Sequence, residues 1–187
     1  IIAALELKKG ATIIEIGPGR GALTVPLAEK CAELNCKIVA IEKDLRLVDE
    51  LISYASARVN EFKNLEIVHG DALKLLGSIT TRHTLNAKRF KVVGNTPYYI
   101  TGKLLRVLGD LITHNSMPTG RQALPITDIV LMVQKEVAER IVAGSGRFNL
   151  LAAAVQFWAE PKILFTLKPQ DFNPSPEVQS AVIKLTP

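Results

Sequence analysis

A chain of 187 residues, of which 48% are hydrophobic and 22% charged, has the size and composition of one soluble globular domain. It is long enough to bury a core without disulfides or a structural metal, and its composition excludes disorder, collagen and a disulfide scaffold. No apolar run approaches the roughly 18 residues of a membrane span, so we expect no membrane partner. The net charge of +5 is compatible with a polyanionic partner but does not establish one.

The two cysteines, Cys31 and Cys36, lie in one predicted helix at a spacing that places them on different faces. No Cys or His spacing fits a zinc site, so we predict reduced thiols in a cytosolic type of protein and no bound metal. The chain begins at Ile1, without a methionine and without a signal-peptide pattern. We therefore expect a piece of a longer cytoplasmic protein, and an organellar location stays open because the start is missing.

Short β-branched runs alternate with segments of helical apolar spacing along most of the chain. The predicted strands are Thr12–Ile16, Lys37–Ile41, Leu65–His69, Phe90–Val93, Ile126–Val133, Ile163–Leu167 and Val178–Leu185. The predicted helices are a segment with helical apolar spacing at Leu23, Leu27, Ala28, Cys31 and Leu34, and the segments Leu45–Tyr54, Ile100–Leu108, Lys135–Val142 and Leu150–Trp158. The predicted polar loops are 77–88 and 112–125. This alternation predicts an α/β fold with a parallel sheet, right-handed crossovers and helices on both faces. The last two strands are expected to pair antiparallel at one edge.

Ligands of open α/β sheets bind beyond the carboxyl ends of the strands, and the first strand ends in Glu15-Ile16-Gly17-Pro18-Gly19-Arg20-Gly21. Its glycines allow a tight turn and let a ligand approach the main chain, while amides at the following helix start favour anionic or polar groups. A purely structural strand-to-helix turn is the alternative. The ligand stays open at this point, because Gly17, Gly19 and Ala22 also satisfy a dinucleotide-binding pattern.

Two acids follow the next two strands. Glu42 ends the second strand, where a carboxylate can accept hydrogen bonds from both hydroxyls of a ribose; Asp44 is the better candidate for capping the next helix. Asp71 follows the third strand, before Ala72. It is suited either to accept a hydrogen bond from an adenine amino group or to act as a helix N-cap.

The fourth strand ends in Asn95-Thr96-Pro97-Tyr98. A side-chain amide oxygen and a backbone carbonyl can together accept both hydrogens of an exocyclic amine, and the tyrosine ring can stack on the base that carries it. A proline turn alone explains Pro97 but not the residues beside it. This segment predicts a site for a flat ring bearing an amino group.

The chain resembles the ribosomal RNA adenine dimethyltransferase family over nearly its whole length. The resemblance rests on the segment 15–21, Glu42, Asp71, the segment 95–98 and the loop Phe172–Val182. The family has Glu-x-Gly-x-Gly-x-Gly, Asn-Leu-Pro-Tyr and a phenylalanine–proline loop at the corresponding places. Thr96 stands where the family usually has leucine, and Phe148-Asn149 replaces its usual Tyr-Gly. The family's N-terminal Gln/Asn-Phe-Leu segment and C-terminal helical domain have no counterpart.

The resemblance implies a single catalytic domain over residues 1–187 with a Rossmann-like, class I S-adenosylmethionine-dependent methyltransferase fold: a mostly parallel seven-stranded sheet with an antiparallel edge strand. It implies methyl transfer from S-adenosylmethionine to N6 of adenine in ribosomal RNA, with two adjacent adenosines of the small subunit each dimethylated. The expected partner is the small-subunit precursor, and the expected state is a monomer. The implied donor-binding residues are Glu15, Gly17, Gly19, Glu42, Asp71, Ala72 and Asn95.

The implied catalytic residues are Asn95, Pro97, Tyr98 and Phe172. Tyr98 and Phe172 would stack on the extruded base, although Phe172 also fits the description of a core residue beneath the proline loop. The leaving group is a neutral thioether, so no metal is expected. Trp158 is interpreted as core rather than as a base platform.

No Asp or Glu occurs between Ala72 and Gly109, a stretch that includes the 95–98 segment. We predict RNA phosphate contacts from its basic side chains, and a solvated basic face is the alternative. The predicted RNA-binding residues are Arg82, Lys88, Arg89, Lys91, Lys103 and Arg106, with Lys74 in the same stretch.

Three other functions stay open. A nicotinamide-dependent oxidoreductase would share the glycine loop and Glu42 but does not need the Asn95–Tyr98 segment. A DNA adenine methyltransferase would share the amine-binding residues. A non-catalytic RNA-binding factor in ribosome assembly or transcription would keep only the fold.

Overall fold

The computed structural model describes residues 1–57, 62–84, 89–113 and 126–187. In this part of the chain the strands are β1 (Thr12–Ile16), β2 (Lys37–Glu42), β3 (Leu65–His69), β4 (Phe90–Asn95), β5 (Ile126–Gln134), β6 (Glu160–Leu167) and β7 (Ser180–Thr186). The α-helices are α1 (Thr24–Leu34), α2 (Leu45–Ser56), α3 (Ala72–Thr84), α4 (Thr101–Thr113), α5 (Lys135–Ile141) and α6 (Leu150–Gln156). Short 3₁₀ helices span Ile2–Leu5, Tyr98–Ile100 and Pro169–Asp171.

The seven strands form one sheet in the order β3-β2-β1-β4-β5-β7-β6. The first five strands run parallel to their neighbours, whereas β7 pairs antiparallel with both β5 and β6. The predicted α/β fold and the antiparallel pair at one edge are confirmed. Within that pair β6 forms the edge, and β7 is the strand that reverses direction.

Apolar residues on the two faces of the sheet build two cores. Ile14 belongs to the core that also contains buried residues of α3, α4, α5 and α6, and its neighbour Ile13 belongs to the core that contains Leu5 and residues of α1. Adjacent side chains of a strand point to opposite faces, so β1 needs apolar residues on both faces, and Ile13, Ile14 and Ile16 supply them. This explains why the buried strands read as continuous β-branched runs in the sequence.

The predicted loop 77–88 is wrong over its first part, because α3 continues to Thr84. Gly77 and a series of hydroxyl residues lower helix propensity here, but tertiary packing outweighs that preference. Leu76 and Ile79 are buried, and the hydroxyl of Thr80 donates to the carbonyl of Leu76 at 2.7 Å. Residue 112 and residue 113 likewise belong to α4, while 85–88 and 114–125 lie outside the described residues.

The prediction that the two cysteines share one helix is wrong. Helix α1 ends at Leu34, Asn35 adopts a left-handed conformation, and Cys36 begins the return into β2. Both thiols are free and buried in the same core. The reversal at Asn35 brings them to one side, which helical spacing alone cannot anticipate.

The order of the strands reverses between β1 and β4, and their carboxyl ends therefore bound a crevice. Ile16 is in register with Gly94, and a Cβ at Gly94 would lie 3.0 Å from the carbonyl oxygen of Ile16. Glycine at this position lets the two strand ends approach closely, directly beneath Asn95. None of the described helices is long and apolar enough to cross a bilayer.

Candidate active site

A cavity of about 650 Å³ opens at the carboxyl ends of β1, β2, β3 and β4. This volume is in the range of small-molecule sites. The structure brings seven of the predicted residues to its wall: Gly17, Gly19, Glu42, Asp71, Ala72, Asn95 and Pro97.

The glycine loop after β1 forms one wall of the cavity. Gly17 and Gly19 have φ values of +67° and +57°, which side chains other than glycine rarely adopt. The amide of Gly17 donates to the carbonyl of Ile41 at 3.0 Å, which ties the loop to β2. A Cβ built on Gly19 would meet nothing within 4 Å, so the loop leaves open space for a ligand against its main chain.

Glu42 organises the neighbouring wall. Its Oε2 accepts a hydrogen bond from the Gly19 amide at 3.0 Å, and its Oε1 accepts from the amides of Lys43 and Asp44 at 2.8 and 2.9 Å. Asp44, as predicted, is the N-cap of α2 and accepts from the amide of Arg46. The Glu42 carboxylate is therefore held in one orientation at the cavity wall, and Oε2 keeps a lone pair for a ligand hydroxyl.

Asp71 has one of the two roles that the sequence left open, that of the N-cap, and its position leaves the other possible. Its Oδ1 accepts from the amide of Leu73 at 3.0 Å in the first turn of α3, as an N-cap does. Its Oδ2 lies 3.6 Å from the Nζ of Lys43, an exposed pair of little energetic weight. One carboxylate oxygen thus fixes the helix start while the other remains accessible to a ligand in the cavity.

The 95–98 segment closes the crevice. Asn95 is the last residue of β4 and is exposed, whereas Thr96 is buried and its Oγ1 has no hydrogen-bond partner among the described residues. Pro97 begins the 3₁₀ turn, in which its carbonyl accepts from the amide of Ile100 at 3.1 Å. The buried Thr96 side chain anchors the segment and leaves the amide of Asn95 at the cavity rim.

Tyr98 and Phe172 lie outside the cavity wall. Tyr98 is half-buried, and its hydroxyl is 2.6 Å from the Oγ of Ser180 at the start of β7. Phe172 is half-buried against the core that contains Leu5 and Ile13, so the core interpretation applies to part of its ring. Trp158 also packs against the core, as expected.

Two residues near the segment escaped the sequence analysis. Tyr99 is 79% exposed and lines the cavity beside Pro97. Ser180 was visible only as part of the proline-loop motif. An aromatic residue next to the predicted stacking tyrosine was a signal for Tyr99, but the contact of Ser180 with Tyr98 joins positions far apart in sequence and had no local signal.

Glu15 is buried in β1 and does not line the cavity. Burial raises its pKa to about 7; the Thr24 hydroxyl lowers it in part, and the Glu42 carboxylate adds to the rise. Its Oε2 has no hydrogen-bond partner among the described residues. The predicted donor-binding role of Glu15 therefore has no contact with the cavity wall to support it.

The predicted ring of basic residues around Asn95 requires correction, because several of them lie at the opposite edge of the sheet. Arg89 directly precedes β4, and the Arg82 guanidinium pairs with Glu66 near the start of β3. Lys91 is buried and forms an ion pair with Asp128, so its charge is not presented to solvent. The reason is strand polarity: residues that precede a parallel strand emerge at the amino edge, and the site is at the carboxyl edge.

Lys103 and Arg106 are exposed on α4, which begins directly after the 3₁₀ turn of the site. They remain predicted phosphate contacts, and neither lines the cavity. Lys88 lies outside the described residues. Among the residues that the structure describes, no three His, Cys, Asp or Glu side chains are grouped so that they could hold a metal ion.

The strand order with its reversed seventh strand, the glycine loop and the acid that ends β2 define a Rossmann-like, class I methyltransferase fold of the S-adenosylmethionine-dependent type. Two structures show the fold alone. The 23S rRNA methyltransferase ErmE matches with a TM-score of 0.73 at 24% identity over 99% of this chain and 64% of its own. M. capricolum TrmK, solved with S-adenosyl-homocysteine, matches at 0.58 and 12% identity over 98% of this chain and 66% of its own.

The sequence profile described as "Ribosomal RNA adenine dimethylase" matches residues 1–187, and the chain belongs to this family. The Ribosomal RNA small subunit methyltransferase A of Lachnoclostridium phytofermentans is 36% identical over 100% of this chain and 59% of its own length; that of Coxiella burnetii is 37% identical over 100% and 64%. A dimethyladenosine transferase from Plasmodium falciparum has a TM-score of 0.73 at 28% identity, covering 100% of this chain and 59% of that one. The chain thus spans about three fifths of the length of these relatives.

Proposed function

We propose that this chain is the catalytic domain of an enzyme that transfers methyl groups from S-adenosylmethionine to N6 of adenine in ribosomal RNA. The proposed substrate is a pair of adjacent adenosines in the small-subunit RNA, each dimethylated, within a subunit precursor. One observation carries the proposal: Asn95, with its exposed amide, stands at the rim of a cavity whose walls are the glycine loop, Glu42 and Asp71. Family membership favours methyl transfer over a nicotinamide-dependent reaction.

The residues of the cavity fit the proposed donor. The open space beside Gly19 accommodates the methionine part, Glu42 can accept from the ribose hydroxyls, and Asp71 can accept from the adenine amine. The sulfonium of the donor supplies an electrophilic methyl group and leaves as a neutral thioether, so we propose no metal in the reaction.

The amine is a poor nucleophile because its lone pair is delocalised into the adenine ring. The Asn95 side-chain oxygen and a backbone carbonyl of the segment can accept its two hydrogens, which favours a more pyramidal nitrogen. No strong base is required, because the proton becomes acidic once the methyl group is attached. Alignment of the nitrogen and electrostatic stabilisation of the developing charge supply the rate gain.

The base must leave its stack to reach Asn95, as it does in other enzymes that modify bases. Stacking of a base on an aromatic side chain is worth about 1–3 kcal/mol. Tyr98 directly follows Pro97 and is suited to this role, and the exposed part of Phe172 offers a second aromatic surface. Lys103 and Arg106 supply positive charge for the RNA backbone beside the site.

The test is nucleoside mass spectrometry after incubation of the protein and S-adenosylmethionine with small ribosomal subunits that lack adenine methylation. We expect a new N6,N6-dimethyladenosine peak. Asn95→Ala should nearly abolish the peak while leaving the Kd for the donor largely unchanged. Full activity of Asn95→Ala would exclude the proposed role of this amide.

Parallel incubations separate the other functions. Transfer to DNA instead of RNA would identify a DNA adenine methyltransferase. Absence of transfer beside an active reference enzyme, together with tight RNA binding, would favour a non-catalytic factor. In that case wild type and Asn95→Ala should support subunit assembly equally.

A further inference from the structure

The hydroxyls of Tyr98 and Ser180 are 2.6 Å apart, a short hydrogen bond between side chains of distant segments. Tyr98 belongs to the turn after β4, and Ser180, within the phenylalanine–proline motif 172–182, is the first residue of β7. The bond therefore links the segment that holds the amine to the loop that carries Phe172.

Ser180 is fully buried, with no exposed surface, and its backbone is held on both sides. It pairs with Gln134 in β5 and with Leu167 in β6, and the amide of Lys135 donates to the carbonyl of the preceding Gln179 at 2.9 Å. A hydroxyl on such a backbone is a fixed point. A half-buried tyrosine bonded to it cannot rotate about its side-chain torsions without losing this partly buried hydrogen bond.

A stacking residue contributes most when its ring already lies in the orientation that the base requires, because no side-chain entropy is then lost on binding. A tyrosine with a free hydroxyl would sample several ring orientations in the turn after Pro97. A hydrogen bond to the hydroxyl, at the end of the ring farthest from the backbone, restricts these orientations.

We propose that Ser180 is a positioning residue for the methyl transfer: its hydroxyl holds the ring of Tyr98 in the orientation that receives the target adenine. The proposal rests on the proposed function, since it assigns the adenine as the group that stacks on Tyr98. It makes Ser180 act through Tyr98 and not on the donor.

The experiment is a double-mutant cycle with Ser180→Ala, Tyr98→Phe and the double variant, each assayed for kcat with subunit substrate and for the donor Kd. We expect each single change to lower kcat about tenfold, the size of one lost hydrogen bond, and the double variant to show the same tenfold loss. The donor Kd should stay unchanged in all three. Multiplication of the two losses in the double variant, or a kcat equal to wild type in either single variant, would overturn the proposal.

A matched control removes another fully buried hydroxyl. In Thr80→Val the hydroxyl no longer donates to the carbonyls of Leu76 and Gly77, both within α3, so kcat should remain at the wild-type value. Thermal unfolding of each variant shows whether it is folded. If Ser180→Ala does not fold, Tyr98→Phe tests the same bond from its surface end, where deletion of the hydroxyl leaves the ring in place.

A second readout needs no catalysis. RNA carrying 2-aminopurine at the target position changes its fluorescence when the base leaves the stack and packs on an aromatic ring. Both single variants should show a reduced change on binding at saturating protein. If wild type gives this signal but transfers no methyl group, the proposed function is wrong while the positioning role of Ser180 stands. If the variants match wild type in the signal, the positioning role of Ser180 is wrong.

Discussion

The Glu42 carboxylate accepts a hydrogen bond from the Gly19 amide at 3.0 Å, and this contact joins the end of β2 to the glycine loop that follows β1. Its other oxygen accepts from the amides of Lys43 and Asp44. One side chain therefore shapes two walls of the cavity at once. The acid proposed to bind the donor ribose also holds the loop that faces the rest of the donor.

Glu42→Gln replaces one acceptor oxygen with a donor, so the side chain can no longer accept from both the Gly19 amide and the turn at Lys43 and Asp44. We expect the Kd for S-adenosylmethionine, measured by calorimetry, to rise by at least about tenfold, the equivalent of one charge-assisted hydrogen bond. Glu50→Gln is the control: its carboxylate pairs with Arg20 at 3.4 Å on the surface, and the Kd should not change. An unaltered Kd in Glu42→Gln would remove Glu42 from the donor site.

Gly19→Ala places a methyl group in the open space of the cavity and forces a side chain into the left-handed region. The backbone strain should cost about 1 kcal/mol of unfolding free energy, and donor affinity should fall in addition because the methyl occupies ligand space. Gly10→Ala carries the same strain at φ +74°, also in open space, but outside the cavity. Chemical denaturation should show similar losses for both variants, and only Gly19→Ala should bind the donor less tightly. Equal donor binding by the two variants would contradict the proposed placement of the donor.

Glu15 should make stability depend on pH. Because burial raises its pKa from 4.5 to about 7, the folded chain holds the proton more tightly than the unfolded chain does. This contribution to the free energy of unfolding is fully present below pH 4.5 and is lost as the pH rises through about 7. In Glu15→Gln that loss should be absent, so its Tm relative to wild type should increase between pH 5 and pH 8. The Tm values of the donor-free wild type and variant are measured by differential scanning fluorimetry.

Glu29→Gln, on the exposed side of α1, controls for the general effect of removing a carboxylate and should leave the pH profile of the Tm unchanged. A Tm difference between Glu15→Gln and wild type that is constant from pH 5 to pH 8 would show that Glu15 does not titrate in this range.

Substitutions of Lys91 and Lys103 should have different effects: the first should lower stability, and the second should weaken RNA binding. Lys91→Met leaves Asp128 without one of its two lysine partners inside the protein, which should cost about 3 kcal/mol or more of unfolding free energy and leave RNA affinity unchanged. Lys103→Met, on the exposed face of α4, should leave stability unchanged. It should weaken RNA binding and reduce the slope of log K against log salt by about one. Denaturation and fluorescence anisotropy at several salt concentrations measure the two effects. A reduced salt slope in Lys91→Met would restore Lys91 as a phosphate contact.

Much of the fold could be predicted because each buried strand needs apolar residues on both faces. β1 and β3 have the predicted bounds, and β2 and β4 differ only where polar residues extend them, to Glu42 and Asn95. The loop prediction was wrong over 77–84 because hydroxyl residues and a glycine resemble a loop in sequence. In the structure the packing of Leu76 and Ile79 and the hydrogen bonds of the hydroxyls within α3 outweigh that preference.

The sequence by itself determined the carboxyl edge of the sheet as the site, because glycine, acid and amide residues follow four strands whose parallel order places their ends together. Only the tertiary structure decided where the other side chains lie relative to this edge. Strand polarity sends Arg89 and Lys91 to the far edge, although they are close to Asn95 in sequence. The return of β7 beside β5 brings Ser180 to Tyr98, although the two are far apart in sequence. Local patterns record which face a residue prefers, whereas contacts between distant segments depend on the order and direction in which the strands pair.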